Sequence, residues 1–428
     1  MQCKKGVIPM ASHKFPFIYL VGIVSMGLLA LMLFFPGQVL DASLKGLAIW
    51  WDVLFPALFP FFVISEMMLG LGIVHFFGML FDPFMRPVFR IPGIGGFVMA
   101  MGFAAGYPVG AKLTSQLWEQ KLINREEGER LVAFTTTSDP IFLIGAVSVG
   151  FFHDASLAAI LAAAHYGTAL IVGLLMRLHG KHAAIPLAPL TTTSNASPKK
   201  TLRSLSLQAF EAMHAARLHD GRTLGQMLNQ AIRSSIQLVM VIGGLVVFFA
   251  VIMEMMSSAH LMQMIYAGID HLLQLFGLPT ALSPAVVGGA FEVTIGVKAA
   301  GGAPPSISLM HKTAIAAFLL SWAGLSVHAQ ITSLLHHTNL RYLPFCMARL
   351  LHGLLAAIAV WMLWKPMQLN RDSAVAAFLN EIHATPSVLD LWGTMIIWNT
   401  VAFISLLLCF ILFYVVYLAV KQCMKWLK

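Results

Sequence analysis

Residues 17–35 read FIYLVGIVSMGLLALMLFF, nineteen positions without a charge. Wound as a helix, such a run is about 28 Å long, close to the ~30 Å hydrocarbon core of a bilayer. Apolar runs of similar length, three of them carrying one or two charges, recur at 47–69, 157–176, 236–256, 343–364 and 391–420, the last long enough to tilt. Only 11% of the 428 residues are charged and 58% are apolar, whereas soluble domains carry about 25% charged residues. The pattern predicts an all-α polytopic membrane protein with about eight full crossings. The basic start MQCKKGVIPMASHK precedes a run of full-span length, so it reads as an uncleaved first span, not a signal peptide. The net charge of +9 then reports loop orientation, not a nucleic-acid partner. Cys3, Cys346, Cys409 and Cys423 form no CxxC or Cys/His cluster, so neither disulfide, metal nor cofactor is expected.

Other apolar segments are punctuated: 91–113, 134–152, 281–301 and 314–335. They suit broken helices or re-entrant hairpins, which membranes tolerate where protein or a cavity covers the freed backbone. One hydrophilic linker, about 177–233, contains the Ser/Thr-rich LTTTSNASPKKTLRS and a surface-helix pattern, QAFEAMHAARLHDGRTLGQMLNQ. It holds eight Lys/Arg against Glu211 and Asp220, which places it on the cytoplasmic side. Lys4, Lys5, Lys14, Lys421, Lys425 and Lys428 place both termini there too. The loop after Trp364, with Arg371 against Asp372, Glu381 and Asp390, suits the other side.

The halves of the chain correspond. VISEMM (63–68) matches VIMEMM (251–256), pairing Glu66 with Glu254, and YPVGAK (107–112) matches VTIGVK (293–298), pairing Lys112 with Lys298. AHYGTALIVGLLM (164–176) matches LLHGLLAAIAVWM (350–362), pairing Gly167 with Gly353. Three ordered matches at near-constant offset indicate an internal repeat. The loop charges run the first repeat from outside to inside and the second back, so the repeats are inverted. Inverted repeats with interrupted helices point to a secondary transporter. The layout is a first span and cytoplasmic tail (1–45), a first repeat (46–178), the linker (179–232), a second repeat (233–365), and an external loop with a last span (366–428).

Candidate site residues cluster at the breaks. Gly102, Gly106 and Gly110 share one helix face and Pro108 removes a donor, which fits either an unwound binding element or close packing with a kink. VVGGAFEVTIGVKAAGGAPP, with Gly296, is the second break. Lys112 and Lys298 either snorkel to headgroups or converge on a central anionic solute. Asp52, Glu66, Asp139, Glu254 and Glu292 are acids in apolar surroundings, each needing a partner or a wet cavity. Glu292, inside a break, is the strongest candidate for ion pairing or for carrying a coupling proton, with Asp139 and the repeat-related Glu66 and Glu254 behind it. TTTSDP (135–140) is a re-entrant tip or an ordinary turn, offering Thr137 and Ser138 as ligand oxygens. Ser326, His328 and Gln330 stand at the corresponding place in the second repeat; a lone His is more often a packing residue than a proton carrier. Walker A, HExxH and GxSxG patterns are absent, so no enzyme is expected.

The blocks PALFPFFVISEMM (56–68), GYPVGAK (106–112), EEGERLVAF (126–134) and FEVTIGVK (291–298) resemble the sporulation integral membrane protein YlbJ family, within the nucleoside-recognition Gate-domain membrane proteins. The likeness spans about residues 15–365. It implies a role in endospore formation, residence in the cell membrane or outer forespore membrane, and movement of dipicolinate toward the spore. It also implies a fold similar to concentrative nucleoside transporters. Many members carry an Asn-Ser-Gly-Pro-like tip where this chain has Thr137-Ser138-Asp139-Pro140, so Asp139 is not carried over as a family residue. Dipicolinate is an aromatic dianion, suited to paired lysines by charge and to Tyr107 by stacking. The alternatives are a nucleoside-like carrier and a non-transporting scaffold of the spore envelope. The expected partners are the solute and the bilayer, without nucleic acid; homo-oligomerisation stays open.

Overall fold

The computed structural model describes residues 15–180 and 202–368. The tail with Cys3, the lysines near both termini, most of LTTTSNASPKKTLRS, the acidic loop at 371–390 and the 391–420 span lie outside the described residues. Those described are helical, with no strand among them.

Helix α1 (Phe15–Phe34) turns into α2 (Pro36–Ile49) with a bend of 102°. Pro36, which lacks an N–H and has a fixed φ, begins the new direction. A π-wound turn at Trp50–Leu54 joins α2 to α3 (Phe55–Gly70), so the predicted 47–69 span changes winding before Phe55 and then runs as a helix with Pro56 in its first turn and Pro60 inside it. Left-handed Gly72 (φ 75°) leads into α4 (Ile73–Phe89). Next come α5 (Ile94–Ala105), α6 (Tyr107–Glu119), α7 (Arg125–Thr135), a π-wound helix (Ile141–Phe151) and α8 (Leu157–Met176). The linker helix α9 (Leu202–Asp220) packs on α4, with Phe210 4.9 Å from Phe76 between ring centres.

A Thr223–Gln226 capping box starts α10 (Leu224–Ser258). The helix therefore begins well before the apolar run at 236, because the cap, not the hydropathy, sets the start. Left-handed His260 (φ 58°) leads into α11 (Leu261–Leu275). Then follow α12 (Ser283–Phe291), α13 (Val293–Gly301), α14 (Leu309–Trp322), α15 (Gly324–Leu335) and α16 (Tyr342–Gln368).

Among the described residues, four helices are long and apolar enough to cross a membrane, or up to six if each bent pair counts as one span; the expected eight included the final span outside the described residues. The exposed faces of α1, α10 and α16 carry residues such as Ile23, Met240 and Met362. In water these would be liabilities, and in lipid they are ordinary.

The backbone repeats itself. The left-handed turns at Gly72 and His260 stand at equivalent places in the two halves, and so do the breaks at Gly106 and Glu292. Contacts between the two sets are reciprocal: α7 packs on α16 as α14 packs on α8, and α6 on α15 as α13 on the Ile141–Phe151 helix. His165 of α8 and His352 of α16 stack at 5.0 Å. Beyond them, Glu129 of α7 joins His179, just after α8, at 2.6 Å, and Arg341, just before α16, at 2.8 Å. The end of α8 thus lies beside the start of α16, so these equivalent helices run antiparallel.

Candidate functional site

The first break follows from glycine. Gly106 has φ 89° and ψ −176°, a region essentially closed to other residues. The glycines around it seat the tip of the next hairpin. A Cβ at Gly102 would lie 2.5 Å from the Thr135 carbonyl oxygen, one at Gly110 2.7 Å from Thr135 Oγ1, and one at Gly106 3.2 Å from Asp139 Oδ2. Thr135, Thr136, Thr137 and Ser138 are fully buried. The Thr137 hydroxyl donates to the Gly102 carbonyl at 3.2 Å, so it is spent inside the fold. Asp139 accepts from the Phe142 amide at 2.8 Å and thereby caps the helix that follows.

The second repeat builds its breaks differently. Glu292 is extended (φ −143°) and caps α13, accepting from the Ile295 amide at 2.9 Å and the Thr294 hydroxyl at 3.2 Å. It is buried as a helix cap. Close crossing of α12 and α13 requires Gly296, where a Cβ would lie 2.2 Å from Gly289 Cα. Ala323 and Gly324, both at φ 75°, break the next helix. A Cβ at Gly324 would stand 3.0 Å from the Gly289 and Phe291 carbonyl oxygens. In each repeat, then, the second break lies against the first.

The two repeats meet through polar groups. The Tyr107 hydroxyl donates to the Leu320 carbonyl at 2.8 Å. The Ser138 amide donates to His165 Nε2 at 2.9 Å, so the ring proton sits on Nδ1, which lies 2.8 Å from Ser321 Oγ. Tyr166 donates to the Ser138 carbonyl at 2.9 Å, and His352 Nε2 to the His165 carbonyl at 2.8 Å. Arg349, fully buried, donates to the Ser321 carbonyl. Its Nε and Nη1, and Nδ1 of His352, have no hydrogen-bond partner. Tyr107 is within electrostatic reach of Arg349, Asp139 and Glu292.

The lysines part company. Lys112 is buried, its Nζ 2.8 Å from Glu66 Oε2 and 5.9 Å from the Phe62 ring centre; Gln116 donates to both Glu66 oxygens at 3.2 and 3.3 Å. Lys298 is exposed, Glu254 is half-buried without an ion-pair partner among the described residues, and Asp52 is exposed. His328, held between the Tyr342 hydroxyl at 2.8 Å and the Trp322 carbonyl at 3.1 Å, is a satisfied packing histidine; Ser326 and Gln330 are buried beside it on α15. Sequence reasoning passed over Arg349, His165, Ser321 and His352. The available signal was a charge inside the apolar run LPFCMARLLHGLLAAIAVWMLW, since intramembrane ionisable residues mark function by default.

The chain is 42% identical over 359 residues, 81% of its length and 85% of the relative's, to the sporulation integral membrane protein YlbJ of Bacillus subtilis (strain 168). The chain belongs to the YlbJ family of sporulation integral membrane proteins. A family model described as Gate, nucleoside recognition, matches residues 52–152, which in this YlbJ-family protein hold Glu66, Lys112 and both breaks of the first repeat. No solved structure matches. The YlbJ-family assignment and the apolar helices agree on a multi-pass integral membrane protein.

Proposed function

We propose that this protein is a carrier that moves a small anionic solute, dipicolinic acid, across the mother-cell-derived membrane toward the forespore. One observation carries the reading: matched helix breaks from two antiparallel repeats meet at a buried polar cluster to which both contribute. Interrupted helices around an internal site are typical of alternating-access carriers, since broken backbone at membrane depth is tolerated only where protein covers it or it lines a cavity. Family membership supports the sporulation setting. The basic linker and tail support a cytoplasmic side for both termini and for the Glu129–Arg341 end. In this reading the fold is an inverted repeat similar to concentrative nucleoside transporters.

Purified protein in liposomes is expected to accumulate labelled dipicolinate in preference to uridine. The Gate match favours a second reading, a nucleoside carrier, and uridine uptake without dipicolinate uptake would establish it. Absence of flux for both solutes would leave a scaffold and end the carrier reading.

A further inference from the structure

Resting on the carrier reading, we infer that Arg349 receives a carboxylate of the solute. Arg349 lies about two turns into α16, inside its apolar run, with no exposed surface. It has one protein partner, the Ser321 carbonyl, while Nε and Nη1 offer N–H groups to nothing. Among the described residues no carboxylate lies within ion-pairing distance of it. An arginine cannot shed its charge, and a buried cation without a counter-charge is among the most expensive groups a fold can hold.

The other cations near the breaks are accounted for. Lys112 is neutralised by Glu66 at 2.8 Å, Lys298 is exposed, and Lys312 rests its ammonium on the Ala303 carbonyl at 2.5 Å. The acids within reach of Tyr107 are also occupied, Asp139 and Glu292 each capping a helix. The Arg349 neighbours do not complete it: His165 Nε2 already accepts the Ser138 amide and its Nδ1 carries the proton, and His352 Nδ1, though an open acceptor, makes no hydrogen bond to it and brings no counter-charge. What fits is an acceptor that arrives from outside. A carboxylate supplies a full counter-charge and oxygens for the two unpartnered nitrogens. Its place is where both repeats converge, beside Tyr107, His165, Ser321 and His352.

The test measures binding of pyridine-2,6-dicarboxylate to the purified full-length protein, with pyridine-2,6-dicarboxamide as a neutral isostere. Wild type is expected to prefer the diacid more than tenfold. Arg349→Gln should lose at least tenfold in diacid affinity, keep its diamide affinity, and melt without ligand at or above the wild-type temperature. That last result separates a ligand residue from a structural one, since removing an uncompensated charge does not harm the empty protein. Unchanged diacid affinity in Arg349→Gln, or a lower melting temperature of the empty variant, overturns the assignment. Should the variant not accumulate, a wild-type diacid-to-diamide ratio near one does so. Flux is read separately in liposomes. Diacid binding that depends on Arg349 without any wild-type flux keeps this site and removes the carrier; flux with undiminished Arg349→Gln binding does the reverse.

Discussion

The breaks at Gly106 and Glu292 hold equivalent places in the two repeats, yet they are made from different chemistry. At Gly106 the backbone enters a region only glycine tolerates, and a serine- and threonine-rich tip is pressed against the helix face. At Glu292 the backbone is ordinary extended chain, and the carboxylate closes the open helix start. The same division runs through the lysines that follow: Lys112 is buried on Glu66, while Lys298 is exposed. The repeat therefore preserves where the helices stop while leaving free how each stop is stabilised. The first repeat adds an ion pair that ties α6 to α3.

Substituting the two lysines separately puts the largest strain on this contrast. Lys112→Ala leaves Glu66 buried without its counter-ion and should cost about 3–5 kcal/mol of stability, read by thermal unfolding in detergent. Adding Glu66→Ala should restore much of it. Lys298→Ala, on an exposed position, should stay within about 0.5 kcal/mol of wild type. Equal losses would show that the two lysines play one role after all.

The lysines also show how much could be read from the chain. The breaks were legible because Gly-x-x-x-Gly spacing, Pro108 and the recurring VTIGVK-like block are local signals. Lys112 and Glu66 could each be named, but not their union, because the pair joins side chains of two helices, α3 and α6, that only the fold turns toward one another. Lys298 shares the motif of Lys112, yet the packing of α13 turns it outward, which no repeat alignment encodes. Arg349 was missed for a related reason. Its significance lies in what does not contact it, and isolation becomes visible only once the neighbours from both repeats are in place.

Gly106→Ala comes next in size. The substitution forces a Cβ into a glycine-only backbone region and to within 3.2 Å of Asp139 Oδ2, at a cost of about 1–3 kcal/mol for the conformation alone. Glu292→Ala should cost less, about 1 kcal/mol for a lost cap, because its backbone is unstrained. A larger loss at 292 than at 106 would show that the strained backbone at Gly106 is not the more demanding break.

The smallest effect concerns a feature with no counterpart in the second repeat. Glu129 gathers Arg341, His179 and the Arg341 amide at one end of the molecule, whereas the equivalent position of the second repeat is Ile315. Burial raises the carboxyl of Glu129, but hydrogen bonds from Arg341 and His179 outweigh it and hold it at about 2, below its ordinary 4.5. Because the folded value is depressed, the stabilisation is complete above about pH 4.5 and fades as pH falls toward 2. Arg341 is half-exposed, so solvent screens its share and the whole effect should be about 1 kcal/mol. Glu129→Gln should lower the melting temperature most above pH 5, where the stabilisation is complete, and flatten the loss between pH 5 and pH 3. Ile315→Glu supplies the complementary test: with no arginine to meet it, and with Lys312 one turn earlier already held on the Ala303 carbonyl, the new carboxylate should destabilise most at neutral pH and least in acid, the opposite slope to Glu129. If both variants moved the profile the same way, the two ends would be equivalent, and the lock between α7, α8 and α16 would not belong to one side.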